Sequence, residues 1–290
     1  MTTKFEKALT AITATLEAGP GVYRLEELKQ LLEENRSKWG LSHTLSSVKF
    51  ANNLIERTSL KKVAIVSEYG ELSRYMWGNP SPYLVALSLR AGSYLTHATA
   101  VFLHALNEQI PQQVYLNKEQ SQKPESKDHL KQESLDRVFG NKQRQSRYIF
   151  AYRNQKIIIL SGKQTKGLGV VTIQGPQKEV LRVTDIPRTL IDITVRPTYG
   201  GGVYQVIEAF KGARERTSAS EILETLAQLK YLYPYHQAIG FYMSRAGYPK
   251  AEVARLKESG LSYDFYLDYT IPKTQREYDK EWRLFFPKGL

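Results

Sequence analysis

The 290-residue chain is 41% hydrophobic and 24% charged, a composition that is typical of folded globular proteins and excludes disorder of the whole chain. Its length is sufficient for two or three domains, each with a core of its own. It has no cysteine, which excludes disulfides and thiolate metal sites, and its net charge at pH 7 is +12.

The basic charge favours a polyanionic partner, because neutralising phosphates with Lys and Arg releases counterions. Nucleic acid is the first expectation, although a basic surface can also serve only to keep a protein soluble. Residues 117–166 hold 12 Lys and Arg against five Asp and Glu, whereas residues 1–78 hold 11 against nine. The N-terminus lacks a signal-peptide pattern and no run of about 18 apolar residues occurs, so we expect a cytoplasmic protein without a membrane span.

Two amphipathic helices are predicted at the start of the chain. Thr3 and Glu6 have the spacing of a capping box, and the helix that follows turns Phe5, Leu9, Ile12 and Leu16 to one side before Gly and Pro end it at 19–21. Residues 23–38 repeat this pattern with leucines inward and glutamates outward. The sequence therefore predicts two helices that pack through their apolar faces.

A third helix and a β-hairpin are predicted next. After a turn at 40–43, with Ser42 or Thr44 as the cap, residues 45–57 place Leu45, Val48, Ala51 and Ile55 on an inward face. Phe50 interrupts this pattern, and a rotation of about one residue would also be consistent with the sequence. Strands are predicted over 61–67 and 72–77, separated by a tight turn.

Three helices followed by a hairpin is the order of a winged helix-turn-helix, which we predict for residues 1–78. Polar side chains on a third helix of this kind can reach base edges or phosphates, and cations on the hairpin can contact phosphates. The alternative is a small helical domain for protein contacts, which the near-neutral charge of this segment also fits. The candidate DNA-binding residues are His43, Thr44, Ser46, Ser47, Lys49, Asn52, Asn53, Arg57, Lys61, Lys62 and Arg74.

Residues 79–82 are a predicted linker, since glycine and prolines there stop both strand and helix, and residues 83–290 form a predicted second, larger mixed domain. The overall fold class is α+β. Helices are predicted at 83–90 and 96–106, and strands at 113–116, 148–153, 156–160, 168–173 and 180–183. Between them, residues 117–147 are polar and basic, with one short helix near 130–139. This excursion is either a tolerated solvated loop or an arm that touches DNA or a partner.

Arg188 and Asp192 lie four residues apart on a predicted helix over 187–195, a spacing that favours an ion pair with a structural role over a catalytic one. Further helices are predicted at 203–211, 220–232 and 236–245, with two closing strands within 262–268 and 282–286. An aromatic-rich group is expected to belong to the core rather than to a base-stacking surface. Its members are Tyr231, Tyr233, Tyr235, Phe241 and Tyr242.

Two segments in this second region, GSYLTHATAVFLHALNEQIPQQVYL at 92–116 and VTDIPRTLID at 183–192, with three glycines behind them at 200–202, resemble the AbiEi family of antitoxins. The resemblance implies a winged-helix repressor that binds its own operator at inverted repeats, and a C-terminal domain that counteracts a nucleotidyltransferase-like toxin. It covers most of the chain. The segment 117–147 departs from it, because it is longer and more charged than the family pattern leads us to expect.

The motifs of an enzyme are missing from the sequence. His97 and His104 have no third metal ligand at a suitable spacing, and the glycines at 200–202 lack the Gly-Lys-Ser/Thr of a phosphate loop. Asp264, Asp268 and Glu281 lack the Glu-x-Lys spacing of a metal-dependent nuclease. Gly92-Ser93 is not followed by the paired aspartates of a nucleotidyltransferase. We therefore expect no catalytic residues, no metal and no cofactor.

A rival prediction is an interaction protein of a phage-defence system. In that case the N-terminal domain would dock another protein through an apolar Phe50 on its third helix, rather than DNA through polar side chains.

Overall fold

A computed structural model describes residues 3–122 and 130–290. Within these ranges the protein has a mixed α+β fold, as predicted, with eleven α-helices, a nine-stranded sheet and a three-stranded sheet. None of the helices in the described ranges combines the length and the apolar character needed to cross a membrane.

The N-terminal region begins with the predicted capping box. The Thr3 amide donates to the Glu6 carboxylate at 2.6 Å, and the Glu6 amide donates to the Thr3 hydroxyl at 3.2 Å. A two-residue strand that the sequence did not suggest then precedes the second helix and pairs antiparallel with the second strand of the hairpin. The elements are α1 (Lys4–Glu17), β1 (Val22–Tyr23), α2 (Leu25–Asn35), α3 (Ser47–Arg57), β2 (Lys61–Ser67) and β3 (Gly70–Met76).

The predicted start and rotation of α3 were wrong. The helix begins at Ser47, and Ser46 caps it by accepting the Lys49 amide, so neither Ser42 nor Thr44 is the cap. Phe50 is fully buried and stacks on Trp39, whereas Val48 is 52% exposed. The physical reason is size, because burying an aromatic ring removes more apolar surface from water than burying a valine.

The second region contributes the rest of the large sheet and a layer of helices. Its elements are α4 (Pro82–Leu89), β4 (Tyr94–Leu95), α5 (His97–Leu103), β5 (Gln113–Glu119), α6 (Gln132–Gly140), β6 (Ile149–Tyr152), β7 (Gln155–Gly162), β8 (Val170–Gln174), β9 (Val180–Thr184), α7 (Ile186–Val195), α8 (Val203–Ala213), α9 (Ala219–Leu229), α10 (Tyr235–Arg245), α11 (Lys250–Lys257), β10 (Phe265–Tyr266), β11 (Arg276–Asp279) and β12 (Leu284–Pro287).

One sheet runs through both regions. Its strand order is β1-β3-β2-β6-β7-β5-β4-β9-β8, in which β5–β7 and β4–β9 are parallel pairs. The hairpin joins the remaining strands where β2 pairs with β6, with Val66 opposite Ala151. Ile65 and Met76 share a buried cluster with Val85 of α4, so the two sides of the predicted linker are packed together. The domain boundary itself stays a prediction.

The short helix predicted near residues 130–139 of the polar segment is present as α6. Residues 117–119 complete β5, and α6 buries Leu135 and Phe139 in the core of the second region. The Gln132 side chain also donates to the Asp264 carbonyl at 2.8 Å. Two apolar residues one helical turn apart are enough to anchor a short helix in an otherwise polar stretch. The part of the predicted excursion at 123–129 lies outside the described residues.

Helices α7 to α11 enclose the largest hydrophobic core together with the small sheet of β10, β12 and β11. Trp282 packs against α10 so closely that a Cβ at Gly240 would lie 2.2 Å from its ring. Of the predicted aromatic group, Tyr235, Phe241 and Tyr242 are fully buried, and Tyr231 and Tyr233 pack against the same core. This core holds α7, which carries Arg188 and Asp192.

The rotation of α3 gives a stability prediction. Phe50→Ala removes a buried ring from the N-terminal core and is expected to lower the free energy of unfolding by about 3–5 kcal/mol. Val48→Ala, on the same helix but exposed, is expected to change it by less than about 0.5 kcal/mol. Urea unfolding followed by tryptophan fluorescence measures both, since Trp39 stacks on Phe50. The reverse ranking of the two variants would show that the helix is rotated as the sequence first suggested.

Candidate nucleic-acid interface

The exposed face of α3 is polar. Ser46, Lys49 and Asn52 are exposed, while Ser47 and Asn53 are half-buried. Ser46, Lys49, Asn52 and Asn53 run along about two turns of the helix, away from the buried Phe50, Ala51 and Leu54. Ser47 lies on the same side of the helix as these buried residues. Hydroxyl, amide and ammonium groups on one helix face can hydrogen-bond to base edges or to phosphates.

The turn that leads into α3 is held by an arginine that the sequence analysis did not single out. Arg36, at the end of α2, donates through Nη1 to the carbonyl oxygens of Ser42 at 2.5 Å and Leu45 at 3.2 Å. The Ser42 hydroxyl accepts the Thr44 amide at 3.2 Å. His43 is exposed within this fixed turn, and so is Thr44. No local sequence signal identifies Arg36, because its carbonyl partners are set by how the chain turns after α2.

Arg57 is exposed at the end of α3 but is already engaged. Its guanidinium lies 3.1 Å from the Glu56 carboxylate and donates to the Asn53 side chain at 3.4 Å. It also lies over the ring of Phe5. Because exposed ion pairs contribute roughly 0–1 kcal/mol, a phosphate could displace Glu56 from this arginine at little cost.

Lys61 and Lys62 begin β2, shortly after α3 ends, and both are exposed. Within the described residues, neither forms an ion pair. The turn at the other end of the hairpin carries Glu68 and Glu71, and Tyr69 there packs against Tyr148 with ring centroids 5.4 Å apart. The positive charge of the hairpin therefore lies at its base, whereas its turn is acidic and contacts Tyr148, the residue before β6.

Arg74 was predicted to lie on the hairpin surface, and the structure contradicts this. The residue is 6% exposed, and its guanidinium donates to the carbonyls of Ser88 and Leu89 at the end of α4. Burial lowers the pKa of Arg74 below its ordinary value. Arg74 lies opposite Val63 in the register of β2 and β3, on the face of the hairpin that packs against α4. The carbonyl groups at the end of a helix attract a cation. Arg74 is therefore not available to contact DNA.

A second polar group lies buried between the large sheet and α7. Arg188 Nε donates to the Asp192 carboxylate at 2.8 Å, and both side chains are 5–6% exposed. The other oxygen of Asp192 accepts the Thr96 hydroxyl at 2.9 Å, and Arg188 Nη1 donates to the Leu168 carbonyl at 2.9 Å. Burial alone would lower the pKa of Arg188, but the Asp192 carboxylate raises it above the ordinary value. The pair therefore connects α7 to the start of α5 and to the loop before β8.

Tyr94 and His97 extend this buried group. The Tyr94 hydroxyl accepts the Asn117 amide at 2.7 Å and donates to Glu119 at 3.1 Å, and burial raises its pKa to about 12. The His97 ring lies 3.0 Å from the Thr96 hydroxyl, and burial lowers the pKa of His97 to about 4. His97 is therefore neutral at physiological pH and forms part of the packing between β5 and the turn at residues 197–200.

The acidic and histidine residues considered as ligands are engaged elsewhere. His104 bonds to the Thr184 carbonyl at 2.7 Å, Asp264 pairs with Arg283, and Glu281 pairs with Lys257. Across residues 3–122 and 130–290, no three His, Asp or Glu side chains form a group that could hold a metal ion.

No protein-family model matches this chain, and no curated protein is significantly similar to it. Among solved structures, the chain is similar to the crystal structure of the RV2827C protein from Mycobacterium tuberculosis, with a TM-score of 0.58. The two share 12% sequence identity over 96% of this chain and 90% of that chain. At this identity the similarity shows a shared fold, which extends over nearly the whole length of both proteins.

The buried pair gives a second stability prediction. Asp192→Ala leaves the Arg188 guanidinium buried without its carboxylate, and we expect a loss of about 3–5 kcal/mol in the free energy of unfolding. Glu208→Ala breaks the exposed pair with Lys211 and is expected to cost less than about 1 kcal/mol. Chemical denaturation of the two variants beside the unmodified protein provides the comparison. Equal, small losses would exclude a structural role for the pair.

His97 gives a pH prediction. Between its ordinary pKa of 6.5 and its value of about 4 in the folded protein, the unfolded chain binds a proton that the folded chain excludes. Stability is therefore full above pH 6.5 and falls as the pH drops towards 4, by about 3 kcal/mol from this residue. His97→Asn should flatten the pH dependence of unfolding in this window, and His43→Asn, at an exposed position, is the control for removal of a histidine. Indistinguishable pH profiles for the protein and His97→Asn would refute this assignment.

Proposed function

We propose that residues 1–78 form a winged helix-turn-helix that binds double-stranded DNA, and that the protein is an antitoxin and transcriptional autorepressor of the AbiEi type. The observation that carries the DNA-binding part is the exposed polar face of α3 within the element order α1-β1-α2-α3-β2-β3. The pairing of β1 with β3 supports it further, because it makes a three-stranded unit from the hairpin and the strand between the first two helices.

In this proposal α3 lies in the major groove, which is wide enough for an α-helix. Asn52 is the most suitable base-reading residue, because its side chain is exposed near the middle of the helix and an asparagine can make two hydrogen bonds to adenine. Lys49 lies one turn earlier, where it can contact guanine or a phosphate. Ser46 and Thr44 stand at the helix N-terminus, a position that favours phosphate oxygens.

Lys61 and Lys62 supply the sequence-independent part of the proposed contact, by neutralising phosphates beside the groove. The turn of the hairpin does not share this role. Glu68 and Glu71 would be repelled by a phosphate backbone, and Tyr69 in the turn packs on Tyr148, next to β6. The hairpin therefore contacts DNA through its base.

The antitoxin part of the proposal rests on the resemblance of residues 92–116 and 183–192 to AbiEi antitoxins. These two segments are in contact: Leu95 pairs with Val183 between β4 and β9, and the Thr96 hydroxyl donates to Asp192. The contact supports treating them as one structural unit. The proposed partner of this unit is a nucleotidyltransferase-like toxin, and the proposed role requires neither a cofactor nor catalysis by this chain.

Protein docking through the N-terminal domain is the weaker alternative. The apolar side chain that favoured it, Phe50, is buried and cannot meet a partner. Val48 is the exposed apolar residue that remains on α3. A single exposed valine among polar residues is ordinary and does not form a docking patch.

A titration of the protein against its own upstream DNA and against an unrelated duplex of equal length, each at two salt concentrations, tests the proposal. We expect tighter binding to the upstream DNA and a steep loss of affinity as salt increases. Equal affinity for both duplexes, or none for either, would refute autoregulation. Binding that is insensitive to salt would favour an apolar docking surface.

Matched variants separate the two kinds of DNA contact in the same assay. Lys61→Ala/Lys62→Ala should weaken binding to every sequence and reduce the slope of log K against log salt by roughly 1–2. Lys250→Ala/Lys273→Ala, which removes two exposed lysines from the second region, is the control and should leave the slope unchanged. Asn52→Ala should instead relax preference at one base pair by about 1–3 kcal/mol. The same effect from all three variants would contradict base reading by α3.

A further inference from the structure

We propose that a cavity in the second region, at the end of β5, binds a small phosphorylated ligand of about nucleotide size. The cavity has a volume of about 400 Å³ and lies between the turn at residues 91–93, the end of β5, the loop at 163–169 and β9. Three cations line it, namely Lys118, Lys166 and Arg182. None of its residues belongs to residues 1–78, so this proposal does not depend on DNA binding.

The three cations come from three different elements and converge on the cavity. Lys118 Nζ donates to the Ala91 carbonyl at 2.8 Å, and Arg182 Nη1 donates to the Ser93 carbonyl at 3.4 Å. These bonds to one turn hold two of the charged groups in position while both side chains remain exposed. Lys166 approaches from the loop on the other side. Within the described parts of the chain, none of the three forms an ion pair with a carboxylate.

Glu119 is the acidic residue of the lining, and its carboxylate is already satisfied. It accepts hydrogen bonds from the amides of Thr165 and Gly167, from the Thr165 hydroxyl and from the Tyr94 hydroxyl. Burial raises the pKa of Glu119, but these bonds outweigh it and lower the pKa overall. Glu119 therefore stays ionised and fixes the loop beside Lys166, and its charge offsets one of the three cations.

Arg188 also fixes the loop at residues 163–169. Arg188 Nη1 donates to the Leu168 carbonyl, and its Nη2 lies 3.4 Å from the Tyr94 hydroxyl at the cavity floor. The same ion pair that fixes α7 thus supports the wall that carries Lys166. A site whose charged groups are positioned before the ligand arrives loses less entropy on binding.

The charge and size of the cavity select the ligand class. With three cations against the one carboxylate of Glu119, a ligand with a single carboxylate would leave part of the positive charge unneutralised. A phosphate or pyrophosphate group carries several strong acceptors for lysine and arginine donors. The volume falls within the range of about 300–1,000 Å³ that is usual for small-molecule sites. Gln164, which also lines the cavity, offers an amide group for the organic part of such a ligand, whereas the Gln120 amide already donates to the Ser161 carbonyl at 2.7 Å.

Isothermal titration calorimetry of the full chain with inorganic phosphate, pyrophosphate and ATP, in buffers matched for ionic strength with chloride, tests the proposal. We expect saturable binding of pyrophosphate and ATP at one site per chain. In the variant Lys166→Ala/Arg182→Ala, we expect affinity to fall by about tenfold or more for each cation removed. Tighter binding of ATP than of pyrophosphate would show that the organic part of the ligand is also recognised.

The control variant Lys211→Ala/Arg214→Ala also removes one lysine and one arginine, but from exposed positions at the end of α8. Circular dichroism of both variants checks that the fold is retained, and binding to the control should equal that of the unmodified protein. Absence of binding by all three probes at millimolar concentration, or equal losses in both variants, would overturn the proposal. It would also be overturned if Lys166→Ala/Arg182→Ala lost affinity only for duplex DNA, since these cations would then serve polymer phosphates.

Discussion

The buried ion pair between Arg188 and Asp192 is the interaction on which the second region depends. It lies on α7, between the large sheet and the helical core. Arg188 also donates to the Leu168 carbonyl and the Tyr94 hydroxyl, and Asp192 also accepts the Thr96 hydroxyl. A buried pair of this kind adds little net stability over an apolar replacement, because desolvation offsets the attraction. Its value is that alternative packings of α7 would leave a charge unpaired. The pair therefore specifies where α7, β4 and the loop before β8 lie.

The continuous sheet is the second constraint. Because β2 is hydrogen-bonded both to β3 and to β6, the hairpin cannot move independently of the strands that follow the predicted linker. Arg74 strengthens this connection by donating to the last carbonyls of α4. The face of α3 is consequently presented in one orientation relative to the larger region. A partner that contacts both regions would meet a rigid surface, which lowers the entropic cost of binding.

Local signals in the sequence were sufficient for part of the fold. The capping box of Thr3 and Glu6 and the four-residue spacing of Arg188 and Asp192 depend on neighbours within one helical turn. The strands β1 and β4 could not be predicted, because two residues have no periodicity and are strands only through their partners. The same limit explains the errors at α3 and Arg74. Which face of an amphipathic element is buried depends on what packs against it, and that information lies elsewhere in the chain.

The near-neutral charge of residues 1–78 is a poor guide to what a polyanion would encounter there. Two glutamates of α2 form ion pairs with nearby residues: Glu27 with Arg24, and Glu33 with Lys29. Of the basic residues predicted to contact DNA, Arg74 is buried against helix carbonyls and Arg57 is offset by Glu56. Lys49, Lys61 and Lys62 remain exposed, with no ion pair among the described residues. Since charges more than about 10 Å apart are largely screened at physiological salt, the local arrangement of these three lysines matters more than the sum over the segment.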